Sequence, residues 1–450
     1  MTDAFRETVA AVRERVTPDP DERERLERAT AALVERTESA TADLPVETDV
    51  LRVGSTARDT WLAGDRDIDL FVRFPPDLER AELESYGLAV GHEVLPEGRA
   101  EYAEHPYVTG EFDGFDVDLV PCYRVDRATE ARSAVDRTPF HTRYVESAIT
   151  AALAADVRVL KGFLVGCGVY GSDLRTRGFS GYLAELLVLE HGGFRPLIEA
   201  AADWHPPVEL DPEDHGARSF DDPLVVIDPT DPERNVAAVL SETNLAQFQH
   251  HARALLVDPS PDRFEPAEPE PLDRDALFSH LTRRETTAIA LRFEAPDVVE
   301  DQLYPQLAKS LRGLVGELDR RGFSVLRSAA FADERAVLFV ECAVSTLPAV
   351  ERHEGPPVHV SEHADAFYEA YAASDAYGPF VEDGRYVVER DREHATAVGL
   401  LESGTLFEVA LGPDVENALR EDYELLVGEE LTALLPEFGT ELARYYDPRP

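Results

Sequence analysis

The sequence predicts an α+β protein of several domains: a mixed-sheet head over residues 1–140, a helical central domain over 141–258 and an α+β C-terminal region over 259–450. Three observations carry this. Apolar and acidic residues alternate in strand fashion at 67–74 and 115–121, between segments of helical spacing. From 142 to about 258, apolar residues recur at intervals of three and four. A proline-rich acidic stretch, from Asp258-Pro259-Ser260-Pro261 to Glu268-Pro269-Glu270-Pro271, then sets off a second block of strands and helices. At 450 residues the chain has the length for roughly two to four domains.

Residues 3–16 and 21–41 are spaced as helices, the second opening near Asp19-Pro20-Asp21 and laced with Glu/Arg pairs. Strands follow near 49–53, 67–74, 99–103, 106–112 and 115–121, with a helix around 78–92, which makes a mixed sheet flanked by helices. In the central block, 156–165 and 182–189 read as helices. Gly166-Cys167-Gly168-Val169-Tyr170-Gly171 has the glycine spacing of a dinucleotide fingerprint but ends a helical run instead of following a strand, so it reads as a helix stop. Beyond the proline-rich stretch, a strand at 286–294, a helix at 297–321 and strands at 323–329 and 335–344 give a β-α-β-β order, which fits a ferredoxin-like or RNA-recognition-like half sheet. Helices near 361–373, 391–401, 413–424 and 427–445 close the chain, and no internal repeat is visible.

The chemistry concentrates at 54–70. Gly54-Ser55 follows the apolar residues Val50, Leu51 and Val53, and so sits where a strand turns. After eleven intervening residues, Asp67-Ile68-Asp69-Leu70 opens the next strand. Alternation puts both carboxylates on one face, with Ile68 and Leu70 on the other. Two acids on one face repel, and burying either without compensation is costly. A hard divalent cation resolves the conflict, and carboxylates at this spacing suit Mg²⁺, which completes its shell with water and substrate phosphates. Backbone N–H groups after Gly54 and the Ser55 hydroxyl are placed to hold phosphate. A lone Asp-x-Asp is commonly a solvated strand face, but Gly-Ser, a short helical spacer and Asp-x-Asp together are much rarer. A two-metal clamp needs a third carboxylate. After the turn signal Asp113-Gly114, Asp116 and Asp118 share one strand face, and Asp118, nearer the strand end, is the third ligand. Asp116 reads as an exposed acid. Phosphate cradle plus metal carboxylates is the equipment of phosphoryl or nucleotidyl transfer.

Acidic residues number 89 against 44 basic ones, a net charge of −45, and they are spread through every segment. A nucleic-acid binder ordinarily carries a basic footprint. Here hydrophobic content of 44% argues for ordered structure, and the charge fits a salt-rich cytoplasm where carboxylates keep the surface hydrated. It speaks of habitat and not of partner. Lys161 and Lys309 are the two lysines. Retaining an ammonium at Lys161 fits a point-charge phosphate contact, and equally a chance survivor. Taken alone, Tyr170 reads as core and His141 as a capping or surface histidine. No apolar run reaches the roughly 18 residues of a membrane span, the N-terminus lacks signal-peptide features, and Cys122, Cys167 and Cys342 are too few and scattered for a disulfide framework. The expected compartment is the cytoplasm.

The motifs resemble a known family. Gly54-Ser55, Asp67-x-Asp69 and Asp118 are similar to the polymerase-beta-like nucleotidyltransferases. Tyr102-Ala103-Glu104-His105-Pro106-Tyr107, Asp118-Leu119-Val120-Pro121-Cys122-Tyr123 and the stretch from Ser133 to His141 narrow the resemblance to the archaeal (class I) CCA-adding enzymes. So do Leu160-Lys161-Gly162-Phe163, Arg177-Gly178-Phe179-Ser180-Gly181-Tyr182 and the stretch from Asp228 to Ala237, with a looser likeness at Gly378-Pro379-Phe380 and Gly384-Arg385-Tyr386. The resemblance implies a nucleotidyltransferase head and an enzyme that builds the 3′ CCA end of tRNA from CTP and ATP without a nucleic acid template, with Mg²⁺ and as a homodimer. Carried over, Asp67, Asp69 and Asp118 match the catalytic metal ligands. Ser55 and Arg58 match phosphate contacts, His141, Lys161 and Tyr170 further ATP and CTP contacts, and Arg234 a base-reading arginine. Some members carry glutamate where Asp67 stands, so this chain is a methylene shorter there. The acidity departs further and leaves the tRNA-binding surface of the C-terminal half unassigned.

The nearest rivals are a poly(A) polymerase or oligoadenylate synthetase, which share the carboxylates and the helical domain. A drug-modifying nucleotidyltransferase has little use for so long a C-terminal region. A non-catalytic RNA- or nucleotide-binding module is favoured by loss of a carboxylate, and all three are present.

Overall fold

The computed structural model describes residues 2–102, 105–216 and 218–450, so Ala103, at the end of the expected strand 99–103, lies outside the described residues, as does Glu104 of the same motif. Two compact units form, Met1–Ala267 with Pro450, and Glu268–Arg449.

The first unit opens with α1 (Thr2–Val16) and α2 (Pro20–Thr41). A capping box starts α2: the Asp19 carboxylate accepts from Glu22 N at 2.8 Å and the Glu22 carboxylate from Asp19 N at 2.9 Å, worth about 1 kcal/mol. Next come β1 (Asp49–Val53), the single turn α3 (Gly54–Ala57), β2 (Asp67–Phe74), α4 (Arg80–Val94), β3 (Arg99–Tyr102), β4 (Pro106–Phe112) and β5 (Phe115–Tyr123). The sheet order is β1-β2-β5-β4-β3. Only the β2–β5 pair is parallel, so the sheet is mixed as expected. One face buries Ile68, Leu70, Val72, Val117 and Leu119 against Leu26 and Leu33 of α2 and Leu83 and Val90 of α4. That leaves the alternate residues of β2 and β5, the carboxylates among them, on the opposite face.

Helices α5 (Thr138–Ala148), α6 (Ala151–Gly166), α7 (Gly181–His191), α8 (Phe194–Ala202) and, after an intervening small sheet, α9 (Glu242–Val257) build a second core. It includes Leu160, Phe163, Leu164, Leu186, Leu187, Ile198 and Phe248. The first helix belongs to this core: Phe5, Val12 and Val16 of α1 pack into it. The small sheet corrects the all-helical reading of 142–258, because β6 (Val208–Leu210), β7 (Leu224–Asp228) and β8 (Asp231–Asn235) pair within it. Leu224-Val225-Val226-Ile227 is fully buried and carries no period, and a short apolar run is ambiguous between helix and strand.

In the second unit, after a helix α10 (Arg274–Arg284) that sequence reading missed, β9 (Thr287–Glu294), α11 (Glu300–Arg321), β10 (Val325–Ala332) and β11 (Arg335–Cys342) reproduce the expected β-α-β-β order. The next segments are β12 (Val350–Pro357), α12 (Ser361–Tyr371), β13 (Tyr377–Glu382), β14 (Arg385–Asp391), α13 (Ala397–Leu401), α14 (Pro413–Glu421), β15 (Glu424–Val427) and α15 (Leu435–Tyr446). The main sheet runs β10-β11-β9-β15, all antiparallel. Both of its faces are covered, one by α11 and α14 and the other by α10 and α15. Two expectations are corrected. The helix read at 391–401 is the end of β14 and the five-residue α13, and the helices read near 413–424 and 427–445 leave room for β15 between them. Strands β12, β14 and β13 form a separate antiparallel sheet that sequence reading missed. Among the described residues, no helix is long and apolar enough to cross a membrane.

Candidate active site

The register of the first sheet aligns the acids. In the parallel β2–β5 pair, Asp67 lies opposite Asp116 and Asp69 opposite Asp118, about 4.8 Å apart between strands. Asp116 and Asp67 are exposed, while Asp69 and Asp118 are half-buried. Burial, then Asp118 and Asp67, push the Asp69 carboxyl up to about 6, against a lowering influence from Arg58. Burial, then Asp65, Asp116 and Asp118, raise Asp67. Asp118 is raised by burial, against the lowering Thr109 hydroxyl, with Asp116 and Glu101 adding to the rise. Among the described residues no group of three His, Cys, Asp or Glu side chains stands ready-made to hold a metal ion. Neighbouring carboxylates on one face repel one another and have no reason to close on one point without a cation between them.

Gly54 follows β1 beside them, as the first residue of α3. Its φ of +75° is left-handed, and a Cβ there would lie 1.9 Å from Asp69 Oδ2. Only glycine lets the turn pass this close to the acid. Gly54→Ala is expected to force Asp69 out of register with Asp118 at a cost of about 1–3 kcal/mol. A lower melting temperature and a lost Mg²⁺-induced thermal shift would report it. An unchanged shift would show that the turn can move aside.

After the turn, Arg58 and Thr60 reach into the helical core. Arg58 Nε donates to Glu185 Oε1 at 3.0 Å and lies 2.9 Å from Oε2, and Nη1 donates to Thr142 Oγ1 at 3.1 Å. The Thr60 hydroxyl donates to Glu185 Oε1. Lys161 Nζ donates to the Thr60 carbonyl at 2.8 Å and to its hydroxyl at 3.4 Å. Burial pushes the Lys161 ammonium down to about 8, and Glu185 works against that fall. Tyr170 joins the group: a Cβ on Gly181 would lie 3.3 Å from its hydroxyl and 3.6 Å from Lys161 Nζ. Burial raises the Tyr170 phenol, with Asp65 and Glu185 next. Ser55 sits half-buried within α3, its carbonyl accepting from Thr60 N at 3.0 Å.

A further cluster centres on Asp228, which is fully buried. Its Oδ2 is 2.9 Å from His141 Nε2 and 2.8 Å from Arg234 Nη1, and its Oδ1 accepts from Thr230 N and Oγ1 at 2.9 and 2.8 Å. Although burial alone would raise it, the His141 bond and charge and the Thr230 bonds hold this carboxyl far below the ordinary range. The His141 ring stacks on Tyr182 at 4.1 Å. Every candidate residue is thus placed: Asp67, Asp69 and Asp118 on one sheet face, Ser55 and Arg58 on the adjoining turn, Lys161 and Tyr170 in the Thr60 group, and His141 with Arg234 on Asp228. Sequence reasoning missed Glu185, Thr60 and Asp228 as partners. Glu185 had a signal, being a lone acid inside the apolar run from Leu183 to Leu189.

Comparison with known proteins matches three families in order along the chain: a nucleotidyltransferase domain at residues 34–141, the second domain of tRNA nucleotidyltransferase at 155–265, and the C-terminal domain of the CCA-adding enzyme at 284–428. The CCA-adding enzyme of Haloarcula marismortui is 59% identical over 466 residues and that of Halobacterium salinarum 60% identical over 453, each alignment covering 100% of both chains. The CCA-adding enzyme of Methanosarcina barkeri is 42% identical over 422 residues, 92% of each chain.

Proposed function

The chain belongs to the archaeal CCA-adding enzymes, and we propose that it adds and repairs the 3′-terminal CCA of tRNA from CTP and ATP, with Asp67, Asp69 and Asp118 as its metal ligands. The observation that carries this is full-length identity of 59–60% to proteins of that activity. A test gives the purified protein a tRNA lacking its CCA end, with Mg²⁺ and each nucleotide separately, and reads product length. Extension by CTP and then ATP is expected, and no extension in any combination would overturn the reading.

The donor set suits a hard cation: three carboxylates on one face, raised by burial first and by neighbouring acids next, with only the glycine at 54 leaving room beside Asp69 Oδ2. When bound there, Mg²⁺ supplies charge neutralisation at the triphosphate and polarises the tRNA 3′-hydroxyl. The chain's own groups position the reactants. Ser55, Arg58 and Lys161 contact phosphate oxygens, and Tyr170 and His141 complete the nucleotide contacts. Arg234, held on Asp228 with its side chain 38% exposed, presents a planar fork suited to paired acceptors on C or A. The 3′-oxygen forms a bond to the α-phosphorus, its proton departs, and the bond to the leaving pyrophosphate breaks.

We also place the three-domain division at 1–140, 141–258 and 259–450. The two separate cores of the first unit support it, with α1 carried on the second of them. The β10-β11-β9-β15 order, read as strands 2-3-1-4 with α11 between the first and second and α14 before the fourth, supports a ferredoxin-like unit. Free Cys122, Cys167 and Cys342 fit a cytoplasmic place. The homodimer implied by the family is tested by sedimentation in molar KCl.

One pocket serves both nucleotides, since the sequence offers one carboxylate constellation and one candidate base-reading arginine. Arg234→Ala is expected to weaken C and A addition alike, each by about 10–100-fold, read as kcat/KM for CTP and ATP. Full retention of one base would require a second reading site.

A further inference from the structure

Glu185 stands out because stability does not explain it. The side chain is fully buried within the apolar α7. Among the described residues, Oε2 lacks a hydrogen bond of its own, although Arg58 Nε lies 2.9 Å away. A buried carboxylate left partly unsatisfied is a poor source of folding energy, since desolvation offsets much of the attraction. What Glu185 does have is position. It joins two residues of the turn after β1, Arg58 and Thr60, and Thr60 in turn receives both hydrogen bonds of Lys161 Nζ. Thr142 of α5 fixes the other end of Arg58. Four elements therefore meet at one carboxylate: the turn, α5, α6 and α7.

We propose that Glu185 is the positioning residue of the nucleotide site, holding Arg58 and Thr60 so that the Arg58 guanidinium and the Lys161 ammonium face the triphosphate together. This rests on the reading of Arg58 and Lys161 as phosphate contacts. The carboxylate does not touch the nucleotide. It acts through the two cations and also supplies the negative charge that keeps a buried ammonium protonated. The charged and titratable groups facing Lys161 are Glu185, Arg58, Asp65 and Arg158, with the Tyr170 hydroxyl beside Gly181. Arg58 and Arg158 push its proton off, and Glu185 and Asp65 retain it. Removing the Glu185 charge shifts that balance toward the neutral amine.

The test is the Kd for CTP against pH, measured in molar KCl with Mg²⁺ and no tRNA, alongside melting temperature. Wild type is expected to lose affinity as pH rises through about 8, where Lys161 gives up its proton. Glu185→Gln keeps the shape and removes the charge. Its expected result is about tenfold weaker binding near neutral pH, with the alkaline loss of affinity moved to lower pH. Lys161→Arg, which cannot lose its proton in this range, is expected to abolish the alkaline limb. A structural role for Glu185 alone would lower the melting temperature and leave the limb in place, and that outcome overturns the proposal. If Lys161→Ala binds CTP as wild type does, the phosphate-contact reading itself fails, which is a different result. Should Glu185→Gln not fold, Thr60→Val removes the hydroxyl shared by Glu185 and Lys161. Weaker CTP binding in that variant supports the proposal, and wild-type affinity overturns it.

Discussion

Asp69→Asn and Asp118→Asn are each expected to abolish nucleotide addition, by on the order of a thousandfold or more, while Asp69→Asn melts at a higher temperature than wild type when divalent cations are chelated. The first half follows from charge: a neutral amide cannot hold a hard cation as a carboxylate does. The second follows from the Asp69 carboxyl being raised to about 6 by burial and by Asp118 and Asp67. A carboxyl raised in the folded state contributes stability that is present below its unfolded value, near 4, and lost as pH rises through about 6. At neutral pH the folded enzyme therefore carries an unfavourable charge, worth at most about 3 kcal/mol before solvent relaxation. Asparagine removes it, and stability stored against function is released. Mg²⁺ should reverse the ranking by raising the wild-type melting temperature and leaving the variant's almost unmoved. Tm with chelator and with Mg²⁺, and CCA addition on the same preparations, decide both halves. Activity of either variant within a few-fold of wild type would sink the metal assignment, and a lower Tm for Asp69→Asn in chelator would sink the electrostatic one.

The head was legible because its signals are local. Asp113-Gly114, with φ of 53° and 80°, announces the β4–β5 hairpin, and alternation along β2 and β5 separates acids from core. The same signal at Asp383-Gly384, with φ of 49° and 76°, marks the β13–β14 hairpin and was passed over. Exposure on β13 leaves Tyr377, Phe380 and Val381 without a clean in-out alternation, and Gly355-Pro356-Pro357 ends β12 where its register against β14 shifts. Strand β15 was invisible for another reason: four residues have no period, and they are strand because β9 offers them an edge. The site divides the same way. Asp67, Asp69 and Asp118 stand within two strands that register aligns, but the joining of Arg58 to Glu185 spans 127 positions. Sequence can flag a lone acid in an apolar helix, whereas its partner is fixed only when two cores pack together.

Lowering KCl is expected to unfold this protein before it inhibits it. With 89 acidic against 44 basic residues, carboxylates repel across the whole surface, and the repulsion reaches farther as salt falls: the Debye length is ~3 Å at 1 M and ~10 Å at 0.1 M. Local pairing cannot relieve the excess. Pairs such as Arg137 with Asp231 or Arg292 with Glu424 use up arginines one for one and leave a net charge of −45. Screening must come from the solvent. The same salt removes most of the counterion-release contribution to RNA binding. Recognition of tRNA is then expected to lean on shape, 2′-hydroxyl contacts and stacking, with arginines placed singly at the points that matter. Two slopes separate the effects. Melting temperature should fall steadily from molar KCl downward, whereas tRNA affinity, measured only where the protein is folded, should vary little with salt. CCA addition should follow the first curve. One preparation titrated with KCl, read for Tm, tRNA Kd and product length, tests all three. An enzyme stable and most active near ~0.1 M KCl, or a tRNA affinity that collapses at molar salt, would refute the account, because at that point the acidic surface would no longer be what sets the working range.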